Sequence, residues 1–119
     1  MKKLIVASAA LAIATAAGVA TLTGGPEATR AQTVKVWKSP TCGCCAKWVD
    51  HLRDHGFAVE VEDTRQMAQI KRTLGVPRAA GSCHTARVGG YTIEGHVPAD
   101  EIVRLLSEKP AVEGLAVPG

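Results

Sequence analysis

Three of the four cysteines in this chain of 119 residues fall within a Cys-Gly-Cys-Cys run at residues 42–45. A β-prone segment at residues 34–37 precedes the run, and apolar residues spaced i, i+3, i+4 and i+7 predict a helix over about residues 44–55. Thiols that open a helix meet unpaired backbone N–H groups and the positive end of the helix dipole, which favours the thiolate. The CxxC spacing of Cys42 and Cys45, between a strand and a helix, is typical of a thioredoxin-like redox or metal site.

The rest of the sequence completes a short α/β pattern. The other predicted elements are a half-buried strand at residues 57–61, a helix opened by a capping box of Asp63 and Gln66, a hairpin turning at Gly89-Gly90, and a last helix that begins at Pro98. The first two strands, joined through a helix, should be parallel, and the last two should form an antiparallel hairpin. The order β-α-β-α-β-β-α predicts a thioredoxin-like α/β fold in a single small domain.

The N-terminus has the pattern of an export signal. Lys2 and Lys3 precede an apolar, alanine-rich run at residues 4–22. We expect residues 1–31 to be a signal peptide, with an uncleaved membrane anchor as the alternative, since the run is close to the length that spans a bilayer. Residues 32–119 should then form the folded domain on the far, oxidising side of the membrane, the periplasm of a bacterium.

The composition of the predicted domain excludes some partners. Beyond residue 31 the sequence has eleven Lys or Arg and ten Asp or Glu, a net charge of +1. A nearly neutral domain has no basic stripe for nucleic acid. The whole chain has four aromatic residues, too few for a base-stacking platform. We therefore expect no nucleic-acid partner, and contact with a membrane only through an uncleaved N-terminal segment.

Cys44 changes the chemistry that the cysteine run predicts. A plain dithiol oxidoreductase needs two cysteines here, and a third thiol can attack a disulfide between Cys42 and Cys45. Three thiols within four residues instead favour a set of soft ligands, which bind Cu(I) or Zn(II) and can bridge two metal ions. The sequence therefore predicts a metal site in this loop.

Cys83 and His84 add a fourth thiol and an imidazole ahead of the predicted hairpin. In thioredoxin-like folds a proline before this strand packs beside the CxxC loop, and Pro77 is the candidate for that position. With Pro77 there, Cys83 and His84 would lie near the cysteines of residues 42–45. His96, at the start of the last helix, is a further candidate ligand and ranks below His84.

Structural roles compete with these interpretations. Four cysteines in an oxidising compartment could form two disulfides, but three of them are too close in sequence to join distant segments. His51 and His55 have the i, i+4 spacing of a metal pair, yet they lack a third ligand, so a solvated surface is the favoured interpretation. Trp48 should lie in the core, and Met67 should serve packing rather than ligate copper as a thioether.

Two blocks of sequence carry a resemblance to a known family. The block KSPTCGCCAKWVDHL at residues 38–52 and the block SCHTA at residues 82–86, continued by GYTIEGHVPA at residues 90–99, resemble the CopG family of periplasmic copper-resistance proteins. The resemblance implies a thioredoxin-like fold, a periplasmic location, a role in copper tolerance, and copper held in a thiolate-bridged cluster of several ions. The ligands that it implies are Cys42, Cys44, Cys45 and Cys83, with His84 and His96 as additional candidates.

Three functions are compatible with these residues. The first is a copper-binding protein of copper resistance that interconverts Cu(I) and Cu(II), and so acts as a copper oxidoreductase. The second is a dithiol–disulfide oxidoreductase with Cys42 as nucleophile and Cys45 as resolving thiol. The third is a passive copper store or chaperone. The expected partners are copper ions and other periplasmic copper-handling or redox proteins.

Overall fold

A computed structural model of the chain describes residues 29–118. The apolar run at residues 4–22, predicted to be an export signal or anchor, lies outside this range. Among the described helices, none combines the length and the apolar character that crossing a bilayer requires.

In the described part of the chain, helical residues 29–30 precede five strands and three longer helices. These are β1 (Thr33–Lys38), α1 (Gly43–Asp54), β2 (Ala58–Asp63), α2 (Met67–Thr73), β3 (His84–Val88), β4 (Tyr91–Glu94), α3 (Ala99–Glu108) and β5 (Gly114–Ala116), with a 3-10 turn at Arg78–Ala80. The predicted elements are all present, most of them within one or two residues of their expected ends; α2 begins three residues later than its predicted cap at Asp63 implies, and β5 is an addition.

The strands form one mixed sheet in the order β2-β1-β3-β4-β5. β1 pairs with β2 in parallel and with β3 antiparallel, while β3 and β4 form the hairpin. Both turn glycines, Gly89 and Gly90, have positive φ, at 54° and 82°, which is the backbone of a type I′ hairpin turn. The predicted thioredoxin-like α/β fold is confirmed.

The core lies between the sheet and the apolar faces of α1 and α3. Trp48, Val49 and Leu52 of α1 are buried, as the helical spacing predicts. Helix α3 buries Ala99, Ile102, Leu105 and Leu106, and it carries Asp100 and Glu101 in its first turn. Strands β1, β3 and β4 complete the core with Val34, Val36, Ala86, Val88 and Ile93. By contrast, α2 contains no buried residue and rests on the sheet through half-buried side chains.

Three local expectations differ from the structure. The predicted capping box at α2 is absent, because the helix begins after Gln66 without a side-chain cap and the Gln66 N–H instead donates to Thr64 Oγ1 at 3.0 Å. The predicted half-buried strand β2 is a sheet edge and mostly exposed. Pro98 precedes α3 as its N-cap rather than opening it.

Strand β5 was missed because it is three residues long and lies between prolines. It pairs in parallel with β4, where Gly114 is opposite Thr92. A Cβ atom at Gly114 would overlap the backbone of Thr92, so this close approach requires glycine. The pairing carries the C-terminal segment along β4 towards residues 95–96, where Val117 N–H donates to Glu94 O at 2.9 Å.

Candidate metal centre

The CGCC loop connects the end of β1 to the start of α1. Cys42 is the N-cap residue of α1, in an extended conformation with φ −82° and ψ 97°. Cys45 points into the protein and is fully buried, while Cys44 is exposed. The loop therefore presents its sulfur atoms at the positive end of the helix dipole, as the sequence predicts.

Cys83 lies beside this loop because of how β1 and β3 pair. The two strands are antiparallel, with Lys38 opposite His84, so the residue before β3 meets the residues after β1. The Cys83 Sγ atom is 3.1 Å from Cys45 Sγ and 3.8 Å from Cys44 Sγ. The fourth cysteine thus joins the other three, although 38 residues separate it from Cys45.

All four sulfur atoms lie within 4.8 Å of one another. Cys42 and Cys45 are joined by a disulfide, and Cys44 and Cys83 are free thiols. The Cys44 Sγ atom is 3.3 Å from Cys42 Sγ. Each free thiol therefore lies within contact distance of one sulfur of the disulfide, an arrangement in which thiol–disulfide exchange is geometrically feasible.

His84 is fully buried at the start of β3, where its ring stacks on Trp48 with 4.3 Å between ring centroids. Burial lowers the pKa of His84 from 6.5 to about 4, so the ring is neutral at pH 7. Its Nε2 atom is 2.7 Å from the Gly95 carbonyl oxygen, which only accepts hydrogen bonds, so Nε2 carries the proton. The lone pair of Nδ1 is therefore directed towards Cys83 Sγ, 3.5 Å away.

His96 completes a second group of donor atoms. Its Nε2 atom is 3.9 Å from Cys83 Sγ, and its ring stacks on that of His84 with 5.3 Å between centroids. The donor atoms of Cys83, His84 and His96 all lie within 4.8 Å of one another. Cys83 therefore belongs both to a group of four sulfurs and to a mixed group of one sulfur and two nitrogens.

The electrostatics of Cys83 differ from those expected at a helix N-terminus. Burial raises the pKa of the Cys83 thiol, and the neighbouring Cys44 thiol raises it further. Cys83 precedes a strand and lacks the helix N–H groups that lower a thiol pKa. Binding a metal ion at this sulfur would therefore displace a proton.

Solvent reaches the site beside α1. A cleft of about 380 Å³ is lined by Cys44, Lys47, Trp48, His51, His96 and Pro98. Its walls include an exposed thiol and an exposed imidazole, so an ion or a small molecule can reach donor atoms of both groups from this side.

Three residues considered in the sequence analysis lie outside both donor groups. His51 Nε2 accepts the Ala99 N–H at 3.0 Å, so this imidazole caps the start of α3. The His55 ring packs against that of His51 with 4.3 Å between centroids and is exposed. Pro77 is exposed in a groove that includes none of the four cysteines, and Cys83 itself is the residue that precedes β3. The turn at Arg78–Ala80 separates Pro77 from β3, and the pairing of β1 with β3 is what brings Cys83 to the loop.

Sequence reasoning missed the polar residues beneath the Cys83 loop. Glu94 on β4 is buried and forms an ion pair with Lys71 of α2. Its carboxylate also accepts hydrogen bonds from Ser82 and Thr85, on either side of Cys83-His84. A glutamate at the end of a short strand gives no sequence signal of burial, because glutamate is usually exposed.

The fold and the clustered sulfur atoms define a thioredoxin-like thiol protein. Among solved structures the chain is similar to "Copper resistance protein copG- Form 2", with 41% identity over 75% of this chain and 71% of that one, and a TM-score of 0.70. It is also similar to "Copper resistance protein copG- Form 1", with 42% identity over 73% of this chain and 69% of that one, and a TM-score of 0.68.

This chain therefore belongs to the CopG family of copper-resistance proteins. A family model described as "Protein of unknown function, DUF411" also matches residues 80–119. No curated protein matches the chain. The predicted family is confirmed, and a copper-related role is supported by the family together with the sulfur cluster.

Proposed function

We propose that this protein binds copper through Cys42, Cys44, Cys45 and Cys83, and that it interconverts Cu(I) and Cu(II) at this site. The observation that carries the proposal is the convergence of four sulfur atoms within 4.8 Å. Thiolates prefer Cu(I), and one thiolate can bridge two ions. Ligand sulfurs at about 2.3 Å from a metal ion lie roughly 3.8 Å apart in a tetrahedral arrangement. Three sulfur pairs of the group are 3.1 to 3.8 Å apart, and the Cys42–Cys45 pair must be reduced before both of its sulfurs can act as ligands. A cluster of more than one Cu(I) ion is consistent with this spacing.

The reduced form of the Cys42–Cys45 disulfide supplies the electrons for the redox step. In its reduced form the Cys42–Cys45 pair offers two thiolates as ligands. When two Cu(II) ions meet this dithiolate, each sulfur gives up one electron, the S–S bond forms, and two Cu(I) ions result. Cys44 and Cys83 remain as thiols and keep soft donors next to the newly formed Cu(I). Reduction of the disulfide by an external dithiol would restore the pair.

The mixed group of Cys83, His84 and His96 extends the donor set. The unprotonated Nδ1 of His84 faces Cys83 Sγ at 3.5 Å and needs no proton release to act as a ligand. Imidazole nitrogen suits Cu(II) better than thiolate does. We infer that His84 and His96 hold copper in its oxidised form beside the sulfur cluster.

Copper titration of the anaerobically reduced protein tests the proposal. We expect the wild type to retain Cu(I) after gel filtration in a buffer that contains a Cu(I) chelator. The loaded protein should show absorption from thiolate-to-copper charge transfer. Cys83→Ser should bind less copper, because it removes the sulfur that both groups share. Ser39→Ala, in the loop between β1 and the CGCC run, should bind as much copper as the wild type. Reduced protein that stays free of copper would end the proposal.

A second function is favoured by the disulfide at the N-terminus of α1. A dithiol–disulfide oxidoreductase would use the half-exposed Cys42 as nucleophile and the buried Cys45 as resolving thiol. Cys44→Ser separates the two functions, since it should lower the copper stoichiometry but leave reduction of an insulin disulfide intact. A passive store or chaperone would bind the same copper without changing its oxidation state. X-ray absorption measured during turnover reports the copper oxidation state and so separates this function from the redox one.

We also propose that the protein acts in the periplasm, with residues 1–31 as signal peptide or anchor and residues 32–119 as the functional domain. The oxidising compartment fits a disulfide next to free thiols. N-terminal sequencing of the protein recovered from a periplasmic fraction tests this: a start near residue 32 supports cleavage, a start at residue 1 in the membrane fraction supports an anchor, and recovery from the cytoplasm contradicts both.

A further inference from the structure

The Cys83 loop lies over a buried carboxylate that neither donor group uses. Glu94 of β4 is 2% exposed. A buried carboxylate is strongly disfavoured unless it is paired and hydrogen-bonded. Its partners therefore show which part of the fold depends on it.

The two oxygen atoms of Glu94 hold both neighbours of the Cys83-His84 pair. Oε1 accepts the Ser82 backbone N–H at 2.8 Å and lies 3.0 Å from Ser82 Oγ. Oε2 accepts the Thr85 hydroxyl at 2.6 Å. Since Ser82 precedes the pair and Thr85 follows it, one buried carboxylate holds the backbone before the ligand residues and a side chain after them.

Lys71 of α2 closes the arrangement. Its ammonium group forms the ion pair with Glu94 Oε1 and donates to Thr85 Oγ1 at 2.9 Å. It also lies 3.4 Å from the His84 carbonyl oxygen. The lysine therefore neutralises the buried charge and contacts the same strand start that the carboxylate holds.

We propose that Glu94 and Lys71 are positioning residues that hold Cys83 against the CGCC loop. The hydrogen bonds of Glu94 and Lys71 reach Cys83 through Ser82 and Thr85. Lys71 also acts on the Cys83 thiol directly, because its positive charge lowers the pKa of that thiol. The 3.1 Å distance between Cys83 Sγ and Cys45 Sγ depends on where the loop places Cys83. The proposal rests on the proposed function only in giving Cys83 a role as copper ligand.

The ease of forming a Cys45–Cys83 disulfide measures this positioning without copper. With Cys42→Ser and Cys44→Ser as the parent background, the two remaining thiols are equilibrated with reduced and oxidised glutathione. The equilibrium gives the effective concentration of one thiol at the other. A loop that holds Cys83 next to Cys45 gives a high effective concentration, and a loop that lets Cys83 move away gives a low one.

Both charged partners are replaced together, because removing one would leave an unpaired buried charge. Lys71→Met with Glu94→Leu removes the acceptors, whereas Lys71→Met with Glu94→Gln keeps a neutral acceptor for the Ser82 N–H. We expect the leucine variant to lose about tenfold in effective concentration and the glutamine variant to lose less than about threefold. Equal values in the two double variants would overturn the proposal.

Arg104→Met with Glu108→Gln is the matched control, because it removes an exposed ion pair on α3 and should leave the value unchanged. If the leucine variant does not fold, Thr85→Val gives a milder test that keeps the ion pair, because the partners of the Thr85 hydroxyl are Glu94 and Lys71. The expected loss is about threefold, and a value equal to the parent's would overturn the proposal. A protein that shows these losses but binds no copper would refute the proposed function alone. Copper binding that depends on Cys83, without these losses, would refute the positioning role alone.

Discussion

Acid should destabilise the copper-free protein through one buried imidazole. In the folded state burial lowers the pKa of His84 to about 4, whereas the unfolded chain has the ordinary value of 6.5. Between these two values the unfolded chain binds the proton and the folded protein does not. The stabilisation from a neutral His84 is therefore fully present above about pH 6.5 and is lost as the pH falls towards 4.

The size of the effect follows from the two pKa values. The difference between 6.5 and about 4 corresponds to roughly 3 kcal/mol, at about 1.4 kcal/mol per pKa unit. Roughly 2 kcal/mol of this should be lost between about pH 7 and about pH 4.5. A small domain has a total free energy of unfolding of about 5–15 kcal/mol, so the change is large enough to measure.

Urea unfolding of the reduced, copper-free protein across this pH range is the assay, followed by circular dichroism. The comparison is with His84→Gln, whose side-chain amide can still donate to the Gly95 carbonyl oxygen but does not titrate. The variant loses the stacking on Trp48, so it starts less stable at pH 7, and its loss on acidification should be smaller than that of the wild type by about 2 kcal/mol. Other titrating groups contribute equally to both proteins. Parallel pH profiles for the two proteins would show that the burial of this ring does not control its protonation.

Three further changes have expected outcomes. Trp48→Phe leaves the buried Val97 carbonyl without the indole N–H that donates to it at 2.9 Å, so the free energy of unfolding should fall by about 1–3 kcal/mol in urea titrations; a loss below about 0.5 kcal/mol would contradict this. Ile102→Ala empties a fully buried core position and should lower the free energy of unfolding by about 2–5 kcal/mol, whereas Val112→Ala, at an exposed valine, should change it by less than about 0.5 kcal/mol. His96→Ala should weaken Cu(II) binding, followed by electron paramagnetic resonance, and leave Cu(I) loading of the reduced protein unchanged; equal Cu(II) affinities would remove His96 from the mixed group.

Much of the fold was predictable because its signals are local. The helical spacing of Trp48, Val49 and Leu52 and the paired glycines of the hairpin depend on residues within one or two turns of chain. The position of the CGCC run between a strand and a helix is equally local. These signals place three of the sulfur atoms at one helix end without any knowledge of the sheet.

The position of Cys83 and the existence of strand β5 depend on contacts between distant segments, which the sequence does not show. Cys83 reaches the loop through the antiparallel pairing of Lys38 with His84, and nothing in the sequence around Cys83 specifies that register. Pro77, which the sequence offered for this placement, lies before the turn at Arg78–Ala80 and not next to β3. Strand β5 is similar: its three residues carry no periodic pattern, and its pairing depends on the close approach that Gly114 allows.

The same long-range contacts explain why one cysteine serves two donor groups. Cys83 lies where the start of β3 meets both the end of β1, which leads to the other cysteines, and the end of β4, which leads to His96. A ligand residue that belonged to one group alone would offer copper either the sulfur donors or the imidazole donors, but not both. Because Cys83 belongs to both groups, the proposed change of copper oxidation state would let the ion exchange soft for harder ligands without leaving this sulfur. The positioning role proposed for the buried Glu94–Lys71 pair would then act on the one residue whose displacement disrupts both groups.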